Sequence, residues 1–273
     1  LGPSSGNVYT PLIKTDNQNF VHICYNTSFR SEGYLMYINN KSGNWSTPEE
    51  LMPAYNSIGM DLDANGFVHL TTYSLSTGPT YLTNSPDGQW HMPEILDQNW
   101  TGGQLETLSM DIAVDNSGTP HISYVGDYIN KEDYKYAIRI DSTWKNLFVD
   151  SCGFMGGYNA IAVDSNKCPY IMYVSPNSSE LRYAKIEDSS FVNYFVESDM
   201  PDFASPSFDV AADPFNNIHY VYNLNDNLYY GTNAPYTIHY GGGDDNSGGY
   251  YFANSTPGGT GAPSQPSYNW IDP

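Results

Sequence analysis

Three aspartates, Asp61, Asp111 and Asp209, fall at comparable places in successive stretches of this chain. Carboxylates set about a funnel at suitable spacing are the groups that hydrolyse glycosidic bonds. Of the side chains present, these three make the best hydrolytic constellation. A position that repeats along a chain argues for structure, however, because catalysis asks different roles of its residues. The chain therefore reads as non-catalytic, with a secreted glycoside hydrolase kept as the second alternative.

Two metal readings arise from the same region. Asp61-Leu-Asp63-Ala-Asn65-Gly66 matches the opening of a calcium loop, in which alternate oxygens face one hard cation. Its twelfth position is Thr72 where a bidentate Glu is needed, so calcium is a weak expectation and no cofactor is required. Four histidines, His22, His69, His121 and His219, recur at matching places and invite a shared metal ion. Equivalent positions spread around a ring lie too far apart to share one, since such bonds are about 2.0–2.1 Å long. The expectation is packing between repeats, with one ring hydrogen bond satisfied.

Aromatic residues recur in the connections between repeats: Tyr55, Trp100, Phe154 with Tyr158, and Phe203. Flat rings beside Asn and Asp side chains suit the C–H faces and hydroxyls of sugars, which makes a multivalent carbohydrate-binding lectin the first alternative. N-x-S/T sequons at Asn26, Asn40, Asn44, Asn99, Asn177 and Asn254 fall in segments read as loops, the setting that glycosylation needs. Cys24, Cys152 and Cys168 are odd in number. Cys152 and Cys168 belong at opposite ends of one strand, so all three are expected free and buried.

What positions these groups is a repeat. Asp16-Asn-Gln-Asn-Phe-Val-His22-Ile-Cys-Tyr25 recurs from Asp63, Asp115, Asp164 and Asp213, at steps of 47, 52, 49 and 49 residues. Within each unit apolar residues alternate with period 2, as in Met110-Asp-Ile112-Ala-Val114, and Asp-x-x-Gly or Asn breaks the first strand from the second as a tight turn. The repeated aspartates are thus turn residues that accept backbone N–H bonds. A third strand follows, then a fourth that opens on Trp45, Trp90, Trp144, Phe191 or Tyr236. Four antiparallel strands per unit and five units predict an all-β, five-bladed β-propeller, closed radially so that no apolar face meets water. Its blades are expected at about 8–50, 58–97, 108–150, 159–197 and 207–240.

The arrangement resembles the propeller repeats of bacterial and archaeal surface proteins. The turn Ser85-Pro-Asp87-Gly88-Gln-Trp90 resembles a shortened sialidase Asp-box, and Ser42-Gly-Asn-Trp45 and Asp141-Ser-Thr-Trp144 are fainter copies. That motif shapes a turn away from an active centre, so the resemblance implies fold and not activity. Over roughly residues 8 to 240 the architecture is also similar to tachylectin-2-type lectins. A sialidase would need an arginine triad, and Arg30, Arg139 and Arg182 occupy unlike positions.

Ten Lys+Arg against thirty Asp+Glu leave a net charge of −20, which repels a phosphate backbone and excludes nucleic acid as a partner. No apolar run is long enough to span a membrane. The first residues, Leu1 to Gly6, show neither a basic leader nor an initiator Met, so the chain reads as processed or trimmed. A surface rich in Tyr, Asn, Ser and Thr reads as extracellular. Residues 241–273 turn to Gly, Pro and Ser, with aromatic anchors at Tyr250, Tyr251, Phe252, Tyr268 and Trp270. Such a tail must lie on the propeller or on a neighbouring copy. Docking on a neighbour leads to the first reading: a structural or adhesive subunit of a cell-surface or filamentous assembly, a homo-oligomer or polymer joined through the tail.

Overall fold

The computed structural model describes residues 8–28, 33–55, 57–100, 109–126, 132–153, 158–175, 178–198, 200, 207–225, 227–234 and 251–252. It is a five-bladed β-propeller, and no helix occurs among the described residues. Blade 1 holds β1 (Tyr9–Thr15), β2 (Val21–Asn26), β3 (Gly33–Asn39) and β4 (Glu49–Ala54). Blade 2 holds β5 (Ile58–Leu62), β6 (Val68–Ser74), β7 (Gly78–Thr83) and β8 (Glu94–Ile95). In blade 3 are β9 (Met110–Val114), β10 (Pro120–Gly126), β11 (Glu132–Ile140) and β12 (Thr143–Gly153). Blade 4 comprises β13 (Asn159–Val163), β14 (Pro169–Ser175), β15 (Glu180–Glu187) and β16 (Ser190–Glu197). Blade 5 comprises β17 (Phe208–Ala212), β18 (Ile218–Leu224), β19 (Asn227–Thr232) and β20 (Tyr251–Phe252).

Each repeat folds as it does because its aspartate spends one oxygen on a turn. Oδ1 of Asp16, Asp63, Asp115, Asp164 and Asp213 accepts the N–H groups two and four residues on, all at 2.8–2.9 Å. The turn needs one residue at positive φ, supplied by Asn19, Gly66, Gly118, Lys167 and Asn216. A second device repeats after the third strand. Oδ1 of Asn40, Asn84 and Asn233 accepts the first N–H of the second strand, from Val21, Val68 and Ile218, each at 2.7 Å.

The outer strands differ from expectation in detail. Trp45 and Trp90 precede β4 and β8 instead of opening them, while Trp144 and Phe191 lie within β12 and β16. Blade 5 takes its fourth strand from Tyr251–Phe252, paired in parallel with β19, so this part of the predicted tail joins its own chain's last sheet. Tyr236, the expected opener, lies outside the described residues, as do Tyr250, Tyr268 and Trp270.

Apolar faces of successive blades interdigitate in three cores: one between blades 1 and 2, one through blades 2, 3 and 4, and one between blades 4 and 5. The meeting of blade 5 with blade 1 is different. On the first strand, Met60, Ile112, Ile161 and Val210 face the preceding blade and are buried, whereas their counterpart Ile13 is 65% exposed. On the second strand, Cys24, Thr71, Ser123 and Met172 face the following blade and are buried, whereas Val221 is 36% exposed. The first and last blades therefore each keep a partly uncovered wall.

Candidate functional site

The recurring histidines sit between blades, as expected. Nδ1 of His22, His69 and His121 is hydrogen-bonded to the hydroxyl of Tyr37, Tyr81 and Tyr136 at 2.6, 2.7 and 2.6 Å, and His219 pairs likewise with Tyr230. The tyrosine ring then meets the next blade edge-on: Tyr37 on Trp90, Tyr81 on Trp144, Tyr136 on Phe191. Indole Nε1 of Trp90 donates to Glu49, and that of Trp144 donates to Glu94, each carboxylate lying on the preceding blade. Each such group is a lock between neighbours. Burial pulls the imidazoles of His22, His69 and His121 below their ordinary range, so they are neutral.

The second nitrogen distinguishes the copies. His22 and His219 bring Nε2 to 3.3 and 3.2 Å from Asp16 and Asp213. For His69 and His121 the aspartate stands off at 3.8 and 3.7 Å, and Nε2 is buried without a hydrogen bond. At His121 the neighbouring blade sends Lys167 Nζ to 3.4 Å from Asp115. At His69 the equivalent turn residue is Gly118, with no side chain to send, and a cavity of about 310 Å³ opens there.

That cavity lies between blades 2 and 3, on the face of the Asp turns. Thr83, Ser85, Thr119 and Ser142 line it with hydroxyl-bearing residues, and Pro86, Pro120 and the Tyr81 ring supply apolar surface. Arg139, on β11, enters from blade 3. Its Nη2 is held by Glu94 Oε1 at 2.8 Å while Glu94 Oε2 accepts from Trp144 at 2.8 Å, so the guanidinium is fixed. Its Nε, like Nε2 of His69, is buried without a partner among the described residues. The positive charge is matched by Glu94, and His69 is neutral. A neutral molecule carrying hydroxyls and a C–H face has the complementary chemistry.

The carboxylates singled out in sequence serve strand packing. By register Asp111 and Asp209 are equivalent, but Asp61 stands two residues further along its strand. Asp61 is paired with Lys14 at 3.1 Å and accepts the Val114 N–H at 2.8 Å. Asp111 accepts N–H groups from Ile112 and, across the blade boundary, from Ile161. Its carboxyl is pushed up to about 6, first by burial and then by the like charge of Asp209, against those N–H bonds and Lys14. The residues of the calcium reading, Asp61, Asp63 and Asn65, are engaged as follows. Asp61 pairs with Lys14 and accepts from blade 3, while Asp63 Oδ1 accepts the N–H groups of Asn65 and Phe67 in its own turn.

Of the proposed sugar-stacking rings, three are described. Tyr55 is buried, and Trp100 is half-buried with its indole flat over Gly78, where an added Cβ would stand 2.4 Å from the ring. Tyr158 alone of the described rings is open, and Phe154 and Phe203 lie outside the described residues. Among the sequons, Asn26 is corrected from loop to strand: it ends β2, is fully buried and donates to Ala54 O. Asn40 holds the start of β2, Asn44 and Asn99 are exposed, and Asn177 and Asn254 are outside the described residues. Cys24 and Cys168 are free, the first buried and the second only half-buried, and the Cys152 side chain is not described. Sequence reasoning missed Arg139 as a cavity residue. The available signal was an arginine on the third strand of blade 3 whose alternation turns it toward His69 of blade 2.

No protein-family model matches the chain, and no curated protein matches it. Solved structures share its fold. It is similar to the Aleuria aurantia lectin AAL, solved with Fucα1-6GlcNAc, at 11% identity and TM-score 0.55 over 94% of this chain and 87% of that one. The Penicillium chrysogenum α-L-arabinanase, solved with arabinobiose, aligns at 11% identity and TM-score 0.51 over 84% and 79%. The Hadza microbial sialidase Hz136 aligns at 8% identity and TM-score 0.53 over 79% of this chain, which spans 52% of that protein. At such identities the likeness is one of fold, that of the β-propeller.

Proposed function

We propose that this propeller is a carbohydrate-binding protein acting outside the cell, without catalysis, and that its site is the cavity between blades 2 and 3. The observation that carries the reading is that cavity, where Arg139 Nε and His69 Nε2 make no hydrogen bond among the described residues and stand beside apolar proline and tyrosine faces. A neutral pyranose or furanose would satisfy both nitrogens and lay a C–H face on Pro86, Pro120 or Tyr81. The presence of a lectin and of sugar-processing enzymes among propellers of like fold supports the choice of ligand class. The filament reading recedes, because Tyr251–Phe252 pairs within its own chain.

A glycan array probed with the wild type, Arg139→Ala and Gly118→Asn tests it. Asn occupies the equivalent turn position in blades 1 and 5, so Gly118→Asn keeps the turn while filling the cavity. Both variants should lose tenfold or more in affinity, about 1.4 kcal/mol. Absence of binding by the wild type to every neutral sugar, or binding that both variants retain, rejects the site.

A glycosidase reading survives on one observation, the raised carboxyl of Asp111 beside the charge of Asp209. It requires hydrolysis of some polysaccharide that Asp111→Asn abolishes. Turnover unchanged in that variant would dismiss it.

A further inference from the structure

The cavity between blades 2 and 3 is lined by departures from the repeat, and those departures are linked. In blades 1, 2 and 5 the residue after the partner of the recurring histidine is Asn40, Asn84 or Asn233, each clamping the first N–H of the second strand. Arg139 stands at that place in blade 3, next after Ile138, the partner of His121. The second strand there begins at Pro120, which has no N–H to clamp, so position 139 is released. Blade 4 is released in the same way by Pro169, but Ile186 takes the place and Lys167 reaches across toward Asp115. Of the four boundaries from blade 1 to blade 5, only the one between blades 2 and 3 receives an arginine at this position.

Both buried nitrogens of the cavity are hydrogen donors. Arg139 Nε can only donate. In blades 1 and 5, Nε2 of His22 and His219 faces an aspartate that only accepts, at 3.3 and 3.2 Å, so the proton sits on Nε2 and Nδ1 accepts from the tyrosine hydroxyl. The matching bond of His69 Nδ1 to Tyr81 assigns it the same tautomer, with its N–H at Nε2. Two such donors would take a carboxylate or sulfate oxygen as readily as a sugar hydroxyl. Charge decides between them. Glu94 Oε1 lies 2.8 Å from Arg139 Nη2, and Asp63 stands 3.8 Å from His69 Nε2, so an anion would meet two carboxylates against one guanidinium.

We infer that Glu94 determines the specificity of this site: by cancelling the one arginine that the broken repeat admits, it leaves Arg139 Nε to an uncharged sugar and turns uronic acids and sulfated sugars away. The inference rests on the sugar-binding reading of the cavity and names the class of sugar. Glu94 acts through Arg139, as a positioning residue. Its two oxygens are each needed, Oε1 for Arg139 and Oε2 for the Trp144 indole at 2.8 Å, so the carboxylate is held in place from both sides. Among the described blade boundaries the chain then has one such site, where the aromatic connections suggested several.

The test is a glycan array carrying neutral hexoses and pentoses beside uronates and sulfate esters, probed with the wild type, Glu94→Gln, and Pro120→Val combined with Arg139→Asn. Gln has one acceptor oxygen for two donors and no charge, so in Glu94→Gln the ratio of acidic to neutral binding should rise at least tenfold and fall back as sodium chloride is added. The combined variant restores the clamp of blades 1, 2 and 5. Its Tm should lie above that of Pro120→Val alone, which leaves a buried N–H unserved, while its binding of neutral sugars falls tenfold or more. A wild type that takes uronates as readily as neutral sugars, or a ratio that Glu94→Gln does not move, would overturn the role of Glu94 and leave the sugar site standing. A wild type that binds no sugar removes both. A combined variant no more stable than Pro120→Val alone, or one that still binds, breaks the link between Pro120, Arg139 and the site.

Discussion

Single residues here divide into those that hold sheets together and those with capacity to spare. Tyr81 belongs to the first kind: its hydroxyl serves the buried Nδ1 of His69 while its ring meets Trp144. Replacing it by Phe strands that nitrogen, and a urea titration should show a loss of about 1–3 kcal/mol. The neutral histidines set the acid limb of stability. Because burial lowers their folded pKa, the unfolded chain takes up protons that the folded chain refuses, so stability falls as pH drops through the ordinary imidazole range. Asp115, held down at about 2 by its turn N–H and hydroxyl bonds and by His121 against its burial, adds a further loss as pH falls from the usual carboxylate range toward 2. Asp111 runs the other way. Its raised pKa means the folded state binds the extra proton, so its contribution declines as pH climbs from about 4 to about 6. Tm measured against pH for the wild type and Asp111→Asn should differ in slope over that interval, the variant rising more steeply with pH because nothing then opposes the histidines.

At the level of strands and turns, the chain announced its organisation through alternation and through one aspartate per repeat. Asp164 illustrates why this was legible: its Oδ1 bonds lie within five residues, so local spacing suffices to foresee them. Asp164→Ala should cost about 1–3 kcal/mol in chemical denaturation, and Asp164→Asn, which keeps an acceptor oxygen, clearly less. The cavity was not legible for the opposite reason. Arg139 and His69 are 70 positions apart; alternation gives the wall that Arg139 faces, but the stagger of two sheets that brings it to His69 is encoded by no local pattern. The aromatic connections, by contrast, stand out in the sequence, yet Tyr55 and Trp100 pack against the core. The fourth strand of blade 5 was expected to open on Tyr236, but Tyr251–Phe252 supplies it, and a two-residue parallel pairing leaves no periodic trace that would assign it to that blade.

For the molecule as a whole, a net charge of −20 works against compaction. Raising sodium chloride from low to physiological concentration should therefore increase Tm, a trend that calorimetry at fixed pH can check; a fall would mean that pairs such as Lys14–Asp61 and Arg139–Glu94 outweigh the general repulsion. The arrangement of cores adds a last consequence, carried by Cys24. This thiol lies fully enclosed between blades 1 and 2, and its pKa is pushed up to about 12 by burial. Thiolate is the reactive species, so alkylating reagents and oxidants pass it by while those two sheets stay together. Its labelling rate is consequently a built-in clock for their parting, timing how often the wheel comes apart at its first spoke.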